Sequence, residues 1–255
     1  MRRILAGLIA LPLAATPVSA AGPAAEQARD RLALLRRADV GAATPESFRA
    51  ELTLRVSGRA AAARIEVWRS GEARTLVRFL EPRDKGKYLL YGEGEVWFLS
   101  PSAKPVKLPR AYRLRGSVTL DDILGRRYSR DYSVASAEAR EDGGHTVIAY
   151  DLRAISEKNQ YARVLYVVRP DTGRPIRAEF HLRSGRRASV LEFVEWASQQ
   201  GRKLRPRRLA LRDELRGGEL TEVEVEELEE RDVPDGLFDR QDGAARKRLE
   251  NEPGP

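Results

Sequence analysis

The stretch Tyr88-Leu89-Leu90-Tyr91-Gly92-Glu93-Gly94-Glu95-Val96-Trp97-Phe98-Leu99 decides how this chain reads. Two short apolar runs flank a Glu-Gly pair, and a two-residue turn of that kind between such runs is the spacing of a tight β-hairpin. Working back from it, the period stays at two. Leu52, Leu54 and Val56 alternate with Glu51, Thr53 and Arg55, and Ile65 and Val67 alternate with Arg64, Glu66 and Trp68. Thr75, Val77 and Phe79 alternate in the same way with Arg74, Leu76 and Arg78. Such alternation gives a strand one wet and one buried face, as in antiparallel sheets.

Working forward, Asp142-Gly143-Gly144, Pro170-Asp171-Thr172-Gly173, Ser184-Gly185, Gln199-Gln200-Gly201 and Gly217-Gly218 punctuate further strand-like runs. Val223 and Val225 alternate there with Glu222, Glu224 and Glu226, which reads as a wet strand face rather than a calcium site. The whole gives about eleven strands joined as a meander, a mainly β chain without βαβ units. A long antiparallel sheet twists and curls, so a barrel or half-barrel is expected, with a mouth suited to an apolar ligand. From pattern alone the inward side chains read first as a filled core and second as a cavity lining.

Two regions break the alternation. Ala24 to Val40 reads as a helix carrying Ala28, Leu32, Leu35, and Ala38 or Val40 on one face, ended by Gly41 and Pro45. It is available as a plug or cover for the sheet. Pro101 to Leu124 reads as an irregular insertion with prolines at 101, 105 and 109. A helical turn follows at Thr119–Leu124, with Asp121 and Asp122 near its start. An insertion of this kind is often a lid or binding loop.

The first twenty residues have the plan of a cleavable export signal. Arg2 and Arg3 precede an apolar run from Ile4 to Leu13, and Val18-Ser19-Ala20 supplies small residues for cleavage after Ala20. The run is too short to span a bilayer, and no later segment is apolar enough. The expected division is a signal peptide at 1–20, one domain at 21–239 and a polar, frayed tail at 240–255, with the mature protein outside the cytoplasm.

Composition narrows the function. The formal charge is +8, and all but seven of the 46 basic residues are arginine. They are scattered instead of gathered in a patch, which argues against a nucleic-acid footprint. With no cysteine there is no disulfide framework, thiol nucleophile or acceptor for a lipid anchor. The two histidines, His145 and His181, form no metal-ligand spacing, and no serine sits in a nucleophile elbow. Asp121-Asp122 reads as a helix start rather than an acid–base pair. No enzyme, cofactor or metal is expected.

Several stretches together resemble the periplasmic lipoprotein-carrier superfamily, the LolA-like and LolB-like proteins, and within it the outer-membrane lipoprotein-sorting branch. They begin with the export signal, the helix and the strand Leu52–Val56. Tyr91 through Pro101 looks like that branch's Gly-turn, Trp-aromatic strand and closing proline, and Lys104-Pro105-Val106-Lys107-Leu108 like its basic stretch. Arg115-Gly116-Ser117 through Leu120-Asp121-Asp122-Ile123-Leu124 is similar to its Gly-Ser and acidic-leucine segment. Pro170-Asp171-Thr172-Gly173-Arg174-Pro175-Ile176 is similar to its central hairpin, and Val233-Pro234-Asp235-Gly236-Leu237-Phe238 to its Pro–Phe ending. The match spans residues 24–240. The insertion departs from it in being richer in arginine and less aromatic, and no residue here is matched to the arginine that controls the carrier's lid.

The resemblance implies a curved antiparallel incomplete β-barrel of about eleven strands with covering helices and a hydrophobic cavity for lipid or lipoprotein acyl chains. The expected function is a periplasmic carrier passing such cargo towards the outer membrane, a chaperone for lipoprotein transport. The alternative is a non-carrier accessory or sensor partnering an inner-membrane transporter of the lipid-exporter type. The expected cavity lining is Leu52, Leu54, Val56, Ile65, Val67, Val77, Phe79, Leu90, Trp97 and Leu99. Both faces of the Tyr88–Leu99 hairpin carry large apolar groups, so its inward face stays open at this point.

Overall fold

The computed structural model describes residues 23–39, 44–71, 74–109, 112–124, 126–197, 205–241 and 243–250. The export signal expected at 1–20 lies outside them. Helix α1 (Pro23–Ala38) leads into strands β1 (Ser47–Val56), β2 (Ala63–Ser70), β3 (Arg74–Phe79), β4 (Tyr88–Gly92), β5 (Glu95–Ser100) and β6 (Ala103–Leu108). A covering segment follows, made of β7 (Arg113–Arg115), β8 (Val118–Thr119), α2 (Leu120–Leu124) and α3 (Tyr128–Asp131). The chain then runs through β9 (Tyr132–Asp142), β10 (His145–Ala154), β11 (Arg163–Val168), β12 (Pro175–His181), β13 (Arg187–Ala197), β14 (Arg205–Asp213) and β15 (Glu219–Glu230), and ends in α4 (Ala244–Leu249).

Thirteen of these strands form one open antiparallel sheet in the order β6-β5-β4-β3-β2-β1-β15-β14-β13-β12-β11-β10-β9. All its neighbours are adjacent in sequence except β1 and β15, which join the two meanders. The expected hairpin at residues 88–99 is present, with Glu93 and Gly94 both at positive φ between Gly92 and Glu95. The strand number is corrected from eleven to thirteen for the large sheet. β6 was hidden by Pro105, which an edge strand tolerates because its outward N–H has no ladder partner to lose. β14 was hidden by arginines at 205, 207, 208 and 212, which mask the alternation of Leu209, Leu211 and Asp213 on its buried face.

The sheet wraps round one main core. Phe48, Leu54, Ile65, Leu89, Tyr150, Tyr166 and Phe180 pack there with Leu35 and Ala38 of α1 and with Val118, Leu120 and Tyr128 of the covering segment. α1 is tied across β10 and β11 by backbone acceptors. Tyr150 Oη donates to the Arg31 carbonyl and Tyr166 Oη to that of Ala38, both at 2.8 Å. Its expected apolar face is only half realised. Leu34, Leu35 and Ala38 are buried, but Ala28 is exposed and Leu32 is 37% exposed, because residues 25–30 make no cover over the sheet. Val40 lies outside the described residues.

Three buried carboxylates pin the cover. Asp39, just after α1, accepts from the Tyr128 and Ser129 amides at 2.8 and 3.1 Å and from Ser129 Oγ, so one helix end caps the start of another. Burial raises its pKa above the usual carboxylate value, the opposing hydrogen bonds from Ser129 and Tyr128 notwithstanding. Asp122 accepts from Thr119 N and Oγ1 at 2.9 and 2.7 Å, a capping box that fixes the start of α2. Asp213 accepts from Ser117 Oγ at 2.6 Å and lies 3.3 Å from Arg113 Nη1. Gly116, between β7 and β8, has φ +54°, and a Cβ there would lie 2.3 Å from Thr221 Oγ1, so the turn can press on β15 only as glycine.

Arg126 locks the far end of α2. Its guanidinium lies 3.2 Å from Asp122 Oδ1 and 3.4 Å from Asp121 Oδ2. It also covers the rings of Tyr161 and Phe180 at 5.1 and 5.4 Å. Desolvation works against its charge, but Asp122 and Asp121 outweigh it and the guanidinium is held more firmly protonated than usual.

The outer face near β1–β5 carries a second core. Trp68, Leu76, Tyr88, Leu90 and Leu99 pack under Val233, Leu237 and Leu249. Beside it, buried Glu66 accepts from Arg49 Nε at 2.6 Å and Trp68 Nε1 at 2.8 Å, and meets Arg78 Nε at 3.1 Å. The polar tail expected from residue 240 is therefore corrected over residues 244–249. They form a helix whose Leu249 is 4% exposed, and Tyr88 Oη donates to the Arg246 carbonyl at 3.1 Å. Among the described residues no helix is long and apolar enough to cross a membrane.

Two substitutions test this account by urea unfolding. Leu249→Ala should lower stability by about 2–3 kcal/mol, the usual cost of emptying a leucine site; no change would mean that α4 is not docked. Arg126→Ala should cost about 3 kcal/mol by leaving Asp122 buried without its cation. Arg126→Lys should recover only part of that loss, since an ammonium cannot fork to two carboxylates and lie flat on a ring.

Candidate functional site

Among the described residues, the hydrogen-bond ladder opens between β14 and β15. β14 and β15 pair from Asp213↔Glu219 to Arg208↔Glu224 and go no further. β14 continues beside β13 as far as Ala197↔Arg205, while β15 continues beside β1 as far as Phe48↔Glu230. Two local features fit the parting. Pro206 has no N–H to give a ladder. Glu226 is an extra residue in β15, skipped between the pairs Glu51↔Glu227 and Leu52↔Val225, and a bulge of this kind bends its strand away.

Beneath the parting lies a hollow of about 330 Å³. Phe48, Ala50 and Leu52 of β1 and Val67 of β2 form its floor, and Ile123 and Leu124 of α2 close one side. Leu209, Val225 and Leu228 complete an apolar wall, and Arg205, Arg207, Glu226 and Glu227 stand at the rim. Two of the rim charges are tied down. Glu227 meets Arg49 Nη1 at 3.0 Å, and Arg207 reaches Glu195 at 3.3 Å and Glu224 at 3.7 Å. Charged groups thus stand round the mouth and apolar ones face the interior, an arrangement suited to a greasy group. Among the described residues no group of three or more His, Asp or Glu could hold a metal ion.

The residues expected to line a cavity fall into four sets. Leu52 and Val67 line the hollow. Leu54, Ile65, Val77 and Phe79 face the same core, where they are packed and do not reach the hollow. Val56 is buried at 3% exposure beside Gly116. Leu90, Trp97 and Leu99 face the other way, into the outer core beneath the C-terminal segment. The hairpin presents Leu89, Tyr91 and Phe98 inward instead. Sequence reasoning missed Phe48, Ile123, Leu124, Leu209, Val225 and Leu228. The available signal was Pro206 opening a strand whose neighbour carries one residue too many for strict alternation.

Comparison with known proteins bears on the same region. A family model whose description reads "Uncharacterized protein" matches residues 71–242, more than half of the chain. No curated protein matches. Among solved structures, a LolA superfamily protein from Nitrosomonas europaea is 25% identical with a TM-score of 0.70, over 81% of this chain and 96% of that one. An outer-membrane lipoprotein-sorting protein domain from Vibrio parahaemolyticus has 16% identity and a TM-score of 0.67, over 83% and 96%. A DUF1329 family protein from Desulfovibrio piger has 18% identity and a TM-score of 0.68, over 84% and 97%. The latter two likenesses are of fold. The open curved sheet, its inner cover and these matches agree: the chain belongs to the family whose model covers residues 71–242, and its fold is that of the LolA superfamily.

Proposed function

We propose that this protein is a periplasmic carrier that shelters lipid or lipoprotein acyl chains in the hollow between β14 and β15, for transfer towards the outer membrane. Residues 1–20 serve in this reading as its cleavable export signal. One observation carries the proposal: in a LolA-superfamily fold, the ladder parts over an apolar hollow rimmed by charges, of which Glu227 and Arg207 are already ion-paired. Each methylene of an acyl chain left in water costs about 0.8 kcal/mol, so a chain crosses an aqueous compartment readily only when covered. Leu52, Val67, Phe48, Ile123, Val225 and Leu228 would supply the cover. At about 330 Å³ the hollow lies near the lower end for ligand pockets, which suits one chain better than several. The cover supplies a means of release, because α2 forms one wall and is held by a few polar contacts around Asp122 and Arg126.

Mass spectrometry of organic extracts from protein purified out of the periplasm tests the reading, with about one acyl lipid expected per chain. Val225→Trp, which fills the hollow from a partly buried position, should keep the circular dichroism spectrum and lower lipid content at least about tenfold. Displacing two methylenes already costs that much. An empty native protein that takes up no acyl chain and instead captures an inner-membrane transporter would overturn the carrier reading in favour of an accessory role. Undiminished lipid in Val225→Trp would place the cargo elsewhere.

A further inference from the structure

The two edges of the large sheet differ in how they are guarded. β6 carries Pro105 between Lys104 and Val106, with Lys107 next, and proline and lysine are among the residues that discourage edge-to-edge pairing. β9, at the other edge, runs for eleven residues without either. From Ser133 to Glu141 every side chain is exposed except half-buried Ala137, so neither face of this strand is covered. Its outward row of amides and carbonyls is open along the segment 136–142.

The side chains on that segment complement themselves. Ala137 touches the main core, so Ser136, Glu138, Arg140 and Asp142 lie on the outer face, opposite Asp151, Ala149, Val147 and His145 of β10. Glu138 and Arg140 have no ion pair with any described residue. We propose that β9 pairs antiparallel with β9 of a second copy of this chain, about a two-fold axis at Ala139. In that register Glu138 faces the second copy's Arg140 and Arg140 faces its Glu138, while each Ser136 faces an Asp142. On the inner face Ala139 meets itself and each Ala137 meets Glu141, with no bulky clash. Moving the axis one residue either way sets Glu138 against Glu138 or Arg140 against Arg140, and directly opposed like charges disfavour a pair. The contact is isologous and closes as a dimer, making one continuous sheet from two. It rests on the strand edge alone and does not depend on the cargo.

The chain has no cysteine, which makes a positional test clean. Opposed residues of an antiparallel pair have Cα atoms about 4.5–5.5 Å apart, inside the range a disulfide spans. Ala139→Cys should therefore crosslink to a dimer under mild oxidation. Glu141→Cys should not, because its two copies would lie about 13 Å apart. In sedimentation velocity, Glu138→Arg or Arg140→Glu should each weaken the dimer at least about tenfold, and the double exchange should restore it. A monomer at every concentration would overturn the proposal. So would equal crosslinking at both cysteine positions, or a dimer indifferent to Glu138→Arg.

Discussion

The pairing of β1 with β15 is the contact on which the rest of the molecule depends. It is the one neighbour relation in the large sheet that is distant in sequence, and it turns two separate meanders into a single curved surface. Closing so long a loop is entropically unfavourable, so the ladder must be strongly specified. Side chains specify it on both faces. Leu52 opposes Val225 and Leu54 opposes Val223 inside. Outside, the glutamates of β15 find arginines on both flanking strands: Arg55 lies 3.2 Å from Glu224, Arg49 lies 3.0 Å from Glu227, and Arg207 approaches Glu224 from β14. A strand with so many like charges would repel itself if its neighbours did not supply the opposite sign. These three arginines are thereby explained as sheet chemistry.

The same pairing sets the site. β15 follows β1 to its end, and β14 cannot follow both β15 and β13 once Pro206 and the extra Glu226 are reached. The ladder divides, and the space beneath is walled by apolar groups from both sides of the division. The buried carboxylates that might have been read as reactive all have structural work: Asp39, Asp122 and Asp213 each receive donors from the segment between residues 113 and 129. They hold that segment over the core through directional contacts, where a purely apolar cover would slide more freely.

How legible this was from the residues varied with their physics. The Glu93-Gly94 hairpin and the start of α2 at Asp121-Asp122 were plain, because turn geometry and helix capping are local. β6 and β14 were lost because proline and arginine obscure alternation. Proline can sit at an edge, and arginine can lay its stem along a buried face while its head stays wet. The inward face of the hairpin at 88–99 was open for a different reason. The sheet is buried on both sides there, so large apolar residues at both parities carry no direction. Leu90, Trp97 and Leu99 point outward only because the segment from Val233 to Leu249 folds back to cover them.

The sequence by itself determined the antiparallel meander, its turns and the likeness to a superfamily, since each of these follows from period, spacing and short-range backbone preference. Tertiary structure decided which of two apolar faces is the inside, where the ladder divides, and which residues surround the hollow. Those outcomes depend on contacts between positions as far apart as Leu52 and Val225, or Asp39 and Tyr128. No local pattern encodes them, because each strand shows only that it has a face to bury and not what it will be buried against.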